Sequence, residues 1–160
     1  MTSRYSDEEI ARLIAERKPL PPDYISRIQM KPKRGHKERE LEILGSTGTE
    51  FRLILRQSNF NPLDFSVILA CCPPRTNQIF RLIRYNGKSH EHTNLIEGRR
   101  FYSFHIHIAT ERYQELGSKE DSYAEPTDKF SDFQGALQCL REECGFELPD
   151  KNQLDLFKED

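Results

Sequence analysis

The sequence predicts an α+β fold: a five-stranded, mainly antiparallel sheet with one helix before it and one after it. Three observations predict it. Apolar and polar residues alternate with period two in runs between residues 38 and 109. Both flanks carry helical stripes opened by capping-box patterns, and the connections between the runs are mostly short.

The first helix should begin at Ser6-Asp-Glu-Glu9, where Ser6 and Glu9 can satisfy each other's end of the first turn, and Ile10, Leu13 and Ile14 then share a face. Pro19 ends it, and Pro21-Pro22 extends the chain as a linker or bracing segment. After the basic turn Lys31-Pro-Lys-Arg-Gly-His36, Leu41 and Ile43 fit one strand face. Gly45-Ser-Thr-Gly48 fits a hairpin turn, and Phe51, Leu53 and Leu55 alternate with Arg52, Ile54 and Arg56 on the returning strand. Three further strands are expected at 65–71, 79–85 and 101–109, the last after a long loop. Ser131-Asp-Phe-Gln134 should cap a final helix with Phe133, Leu137, Leu140 and Cys144 in one stripe, ended by Gly145. The organisation is then an N-terminal helix and Pro-rich linker (1–26), an α+β domain (27–148) and a tail (149–160).

With 160 residues, 36% hydrophobic and 31% charged, the chain suits one globular domain, and no apolar run reaches the roughly 18 residues a bilayer span needs. No hydrophobic segment follows the basic residue near the start, so no secretory signal is read and a cytoplasmic protein is expected, with no membrane partner. Cys71 and Cys72 are adjacent and Cys139 and Cys144 lie five apart, spacings that suggest reduced thiols in place of a finger or C-x-x-C pair. The net charge of -2 conceals a basic middle, with 15 Lys and Arg against 8 Asp and Glu over 27–112, and an acidic end, with 5 against 13 over 113–160. Such a middle suits a phosphate-binding surface; equally, the two parts can simply attract each other.

Four of the five histidines fall within eighteen residues, in Ser89-His-Glu-His92 and Phe104-His-Ile-His107. On a strand, Tyr102, Phe104, Ile106 and Ile108 point one way, so His105 and His107 share the other, polar face. Three chemistries fit. His90, His92, His105 and His107 can act as general acids and bases on a phosphodiester, with Arg99 and Arg100 holding phosphate and Arg52, Arg56 and Arg84 on the same face. A His-x-His pair can present two nitrogens to a metal ion, with the loop pair completing the shell and Cys71-Cys72 as an outside contributor. Or the histidines make polar-face hydrogen bonds and nothing more. Spacing alone commits no residue as a metal ligand and assigns no cofactor.

The stretch Tyr85-Asn-Gly-Lys-Ser-His-Glu-His92, followed by the His-rich strand, resembles TumE-like toxins of bacterial toxin-antitoxin modules. The wider block through Ala124-Glu-Pro-Thr-Asp128 and the final helix is similar to a bacterial family without an assigned activity. These resemblances cover about residues 80–145 and imply a toxin or defence setting, with nucleic acid as target and an antitoxin protein as partner.

Beyond Pro149, Gln153-Leu-Asp-Leu-Phe157 matches at all five positions the motif by which bacterial replication and repair proteins are recognised by the DNA polymerase sliding clamp. From average residue usage such a match is expected on the order of once in a few thousand chains of this length. Leu156 and Phe157 would fill a pocket, Gln153 would hydrogen-bond at its edge, Leu154 would pack alongside and Asp155 occupies the variable position. Burial of about 1.5–3 kcal/mol per large side chain supports a transient, roughly micromolar complex; the alternative is that Leu154, Leu156 and Phe157 fold back onto this domain's own surface as a short extension. The sequence therefore leads to a nucleic-acid-acting, toxin- or defence-like protein, a His-dependent nuclease, docked on the clamp. The alternative is a clamp-binding adapter or replication inhibitor without catalysis.

Overall fold

The computed structural model describes residues 4–149. Helix α1 (Asp7–Ala15) starts where Ser6 Oγ accepts from the Glu9 amide and the Glu9 carboxylate accepts from the Ser6 amide, each at 3.0 Å. Strand β1 (Lys18–Pro19), short helix α2 (Tyr24–Arg27) and strand β2 (Lys31–Pro32) follow. Next come the sheet's long strands, β3 (His36–Leu44), β4 (Glu50–Ser58), β5 (Phe65–Cys71) and β6 (Phe80–Asn86). A small hairpin, β7 (His92–Asn94) and β8 (Arg99–Phe101), precedes β9 (His105–Ile108), helix α3 (Glu111–Leu116), β10 (Ala124–Pro126), helix α4 (Phe133–Glu143) and β11 (Phe146–Glu147).

The main sheet has seven strands, not five, ordered β10-β9-β6-β5-β4-β3-β2, and every pairing in it is antiparallel. The two extra strands are its edges, β2 and β10, each two or three residues long and ending in proline. The 101–109 strand is in fact divided. Phe101 closes β8, residues 102–104 cross over, and β9 begins at His105, because the expected long loop holds the β7–β8 hairpin, which pairs with itself and not with the main sheet.

Alternation decides the two faces. Phe51, Leu53 and Leu55 of β4, Val67 and Leu69 of β5 and Tyr85 of β6 point into a core closed by Ile10 of α1 and by Phe133, Ala136 and Leu140 of α4. Each large aliphatic or Phe side chain among them contributes roughly 1.5–3 kcal/mol of burial. The opposite face carries Arg52, Arg56, Ser66, Arg84, Asn86, His105 and His107, as the strand register requires. The final helix is capped one residue later than Ser131: Asp132 accepts from the Gly135 amide at 2.7 Å. Gly145 ends it at φ 75°, where an added Cβ would meet the Glu16 carbonyl oxygen.

Residues 18–24 brace the domain instead of linking to it. Lys18-Pro19 pairs in parallel with Phe146-Glu147, and Leu20 and Tyr24 enter the core. The fully buried Lys18 ammonium donates to the carbonyls of Leu13, Ile14 and Glu16 at the end of α1 and of Cys144 at the end of α4, all within 3.0 Å. All four cysteines are free, and no helix among the described residues is long and apolar enough to cross a membrane.

Candidate functional site

Strand β9 runs beside β6, which sets His107 opposite Arg84 and His105 opposite Asn86. The β7–β8 hairpin folds over this part of the polar face and buries it. His92 stacks on His105 with ring centroids 5.5 Å apart and meets His107 edge-on at 4.9 Å, while Phe101 packs against His105 at 5.6 Å. His105 and His107 are 1% and 4% exposed, so the polar face is covered where they sit.

Each of the three rings is oriented by a partner. His105 Nδ1 donates to the Ser103 carbonyl at 2.8 Å, and His107 Nδ1 donates to the Asp121 carbonyl at 2.7 Å. For His92 the partner is an amide whose own direction is fixed: Asn94 Nδ2 donates to the Ala124 carbonyl at 2.7 Å, and the Ala124 amide donates to Asn94 Oδ1 at 3.0 Å. That oxygen therefore accepts from His92 Nε2 at 2.8 Å, and Nδ1 is the ring nitrogen this contact leaves free. By the same logic Nε2 is the free nitrogen of His105 and His107, and His105 Nε2 is buried with no hydrogen-bond partner among the described residues.

Ring nitrogens of His92, His105 and His107 lie within 4.8 Å of one another. Tetrahedral zinc with bonds of about 2.0–2.1 Å needs its nitrogens roughly 3.4 Å apart, so small ring rotations would complete the contact. Each of the three imidazoles has one ring nitrogen tied to a carbonyl oxygen, the arrangement usual in the second layer of a metal centre. Burial holds the His105 imidazolium down to about 4, and burial together with the Arg84 charge holds His107 down to about 2. Near neutral pH both rings are thus electron-pair donors, poorly suited to the acid-base exchange expected of them.

The centre borders a cavity of about 430 Å³ whose wall includes His92, His107, Arg84, Asn86, Ser66 and Arg56. Asp121, 1% exposed, places Oδ2 3.1 Å from Arg84 Nε and 3.5 Å from Arg81 Nε. These are charge contacts without hydrogen-bond alignment, since neither carboxylate oxygen has a directed donor among the described residues. The buried Asn86 likewise leaves Oδ1 without a partner. His90 stands at the rim, exposed, with Nδ1 3.0 Å from Ser89 Oγ, which in turn reaches Asp64 Oδ1 at 3.4 Å.

The four clustered histidines thus divide into three that converge and one, His90, that does not join them. Arg99 and Arg100 are not brought to the cavity: both are exposed on β8, and Arg100 pairs outward with Glu91 at 3.6 Å. Arg56 and Arg84 take that place, as the alternation of their strands allows, whereas Arg52 pairs with Glu40 and Glu42 farther along the sheet. Cys71 points to the core and Cys72 lines a different hollow, so neither belongs to the histidine group. Asn94, Asn86 and Asp121 join the site without being among the candidates the sequence offers. Asn86 could have been, because it sits two residues beyond Arg84 on one strand. Gln153, Leu154, Asp155, Leu156 and Phe157 lie outside the described residues. No protein-family model, curated protein or solved structure matches the chain.

Proposed function

We propose that this protein hydrolyses phosphate esters of nucleic acid at a divalent metal ion, zinc foremost, held by His92, His105 and His107, and that Gln153–Phe157 recruits it to the DNA polymerase sliding clamp. The observation that carries the reading is the convergence of three imidazoles, each with one nitrogen held by a carbonyl oxygen. A three-histidine site has one position left for water, and a divalent ion there would bring that water's pKa to about 7. Arg84, across the strand pair from His107, supports negative charge on a substrate, and His90 at the rim is the histidine left free to move protons. A toxin- or defence-type role is the setting this reading suits.

Metal analysis of the purified full chain should give one ion per chain, and cobalt substitution should give a tetrahedral visible spectrum. Both should be lost in His92→Gln with the far-ultraviolet circular dichroism unchanged. Cleavage of oligonucleotides should stop with chelator and return with zinc. A protein that binds no divalent ion at micromolar concentration ends the proposal.

The pentapeptide favours a second reading, an adapter or inhibitor that occupies the clamp without catalysis. Leu156→Ala with Phe157→Ala should abolish capture by the clamp under either reading. A cellular effect that survives His92→Gln but not the tail change supports the adapter.

A further inference from the structure

The cavity beside the histidines does not end at Arg56. Arg56, Asp64, Phe65 and Ser66 also wall a second hollow of about 150 Å³, bordered by Gly35, His36 and Ser58, so the two form one trough across the polar face. Its floor follows a cross-strand row, Arg56 on β4 facing Ser66 on β5 and Ser66 facing Asn86 on β6, and ends on β9 at His107. Three interstrand steps make this roughly 14 Å, the reach of a short oligonucleotide and more than one nucleotide needs.

The far end has its own chemistry. Gly35 belongs to the basic turn Lys31-Pro-Lys-Arg-Gly-His36, on which Lys33 and Arg34 are exposed. Over it stands Phe60, 86% exposed, its ring so close to Gly35 that a Cβ there would lie 3.7 Å from Cε2. The loop that presents Phe60 is held in shape, with Ser58 Oγ accepting from the Phe60 and Asn61 amides and the Asn59 amide donating to the Gly35 carbonyl. Of the nearby acids, Asp121 faces Arg81 and Arg84 and Glu38 lies 3.2 Å from His36 Nε2, while Asp64, on the wall of both hollows, has the Ser89 hydroxyl at 3.4 Å as its partner. Arg56 has no ion-pair partner among the described residues. A basic groove with an aromatic platform is how single strands are held, by phosphate contacts and base stacking.

We infer that the trough binds a single strand of nucleic acid laid across β4, β5, β6 and β9, with one phosphate at the histidine centre, another on Arg56 and a base stacked on Phe60. This rests on the proposed function only for what happens at the histidines; the strand-binding surface is measurable without it. The probes are fluorescein-labelled 12-nucleotide RNA and DNA strands and their duplexes, titrated by anisotropy with the full chain, metal-free and zinc-loaded.

A single strand should bind at least tenfold more tightly than its duplex. Phe60→Ala should weaken it about tenfold, and Arg56→Gln should weaken it and reduce the salt slope by about one unit. Both side chains are exposed, so the melting temperature should not move. The better-bound of the RNA and DNA strands identifies the polymer. Binding that depends on Phe60 and Arg56 in a protein that takes up no metal upholds the trough and removes the metal reading. Metal uptake with duplex bound as well as single strand, with no binding of either, or with affinity indifferent to both substitutions overturns the trough and leaves the metal centre standing.

Discussion

At His92 one side-chain amide decides which nitrogen faces inward. Asn94 is held by two backbone groups of Ala124, so Asn94→Ala should release the ring and lower metal affinity by about 10- to 100-fold, read by competition with a chromophoric chelator. His105 and His107 make a second prediction, for the metal-free protein. Their folded pKa values, about 4 and about 2, lie below the ordinary 6.5, so between those values the unfolded chain binds more protons than the folded one. Stability is therefore fully present above about 6.5 and falls as pH drops towards 4. His105 alone accounts for a loss on the order of 3 kcal/mol, measurable as a falling urea midpoint in chelator from pH 7.5 to 4.5. Asp121→Asn should cost about 3 kcal/mol by leaving the Arg84 guanidinium, largely enclosed, without its counter-charge, and Arg84→Met in the same chain should recover part of it. The clustering of the histidines was legible in sequence, but the partners that orient them were not. Asn94 is only two positions from His92, but the Ala124 backbone that fixes its amide is 30 positions on, and the Asp121 carbonyl reaches His107 from 14 positions away, contacts that only folding creates.

Among the elements, those with a strong period were readable and those without one were not. Strand β4 alternates cleanly because one of its faces is the core, β5 does so up to Leu69, and α1 announces itself through Ser6 and Glu9. The β7–β8 hairpin gives no such pattern: His92-Thr-Asn94 and Arg99-Arg-Phe101 are short and polar, and what fixes them is tertiary. Tyr113 donates to Glu97 at 2.6 Å and accepts from the Ile96 amide at 3.1 Å, and Arg112 pairs with Glu97 at 2.7 Å. The Lys18 junction between α1 and α4 was equally hidden, since a lysine beside a proline reads as surface. Lys18→Met should leave four carbonyl oxygens short of a donor, the one of Cys144 buried, and destabilise the protein by about 2–4 kcal/mol, seen as a lower chemical-denaturation midpoint with little change in far-ultraviolet dichroism.

For the molecule as a whole, the sheet is a platform with a greasy underside sealed by two helices and a polar upper side that collects charge and imidazole. The α+β class and the antiparallel order followed from pattern. The number of strands did not, because β2 and β10 are too short and too interrupted by proline to carry a period. Those two strands have a further consequence. They are the places where a stranger's backbone could dock and lengthen the stack, yet Pro32 and Pro126 each remove an amide there. The ends of the ribbon are thereby poor templates for copies of the same chain. Pro32→Val together with Pro126→Val should bring concentration-dependent light scattering, while the unaltered protein stays clear at the same concentration.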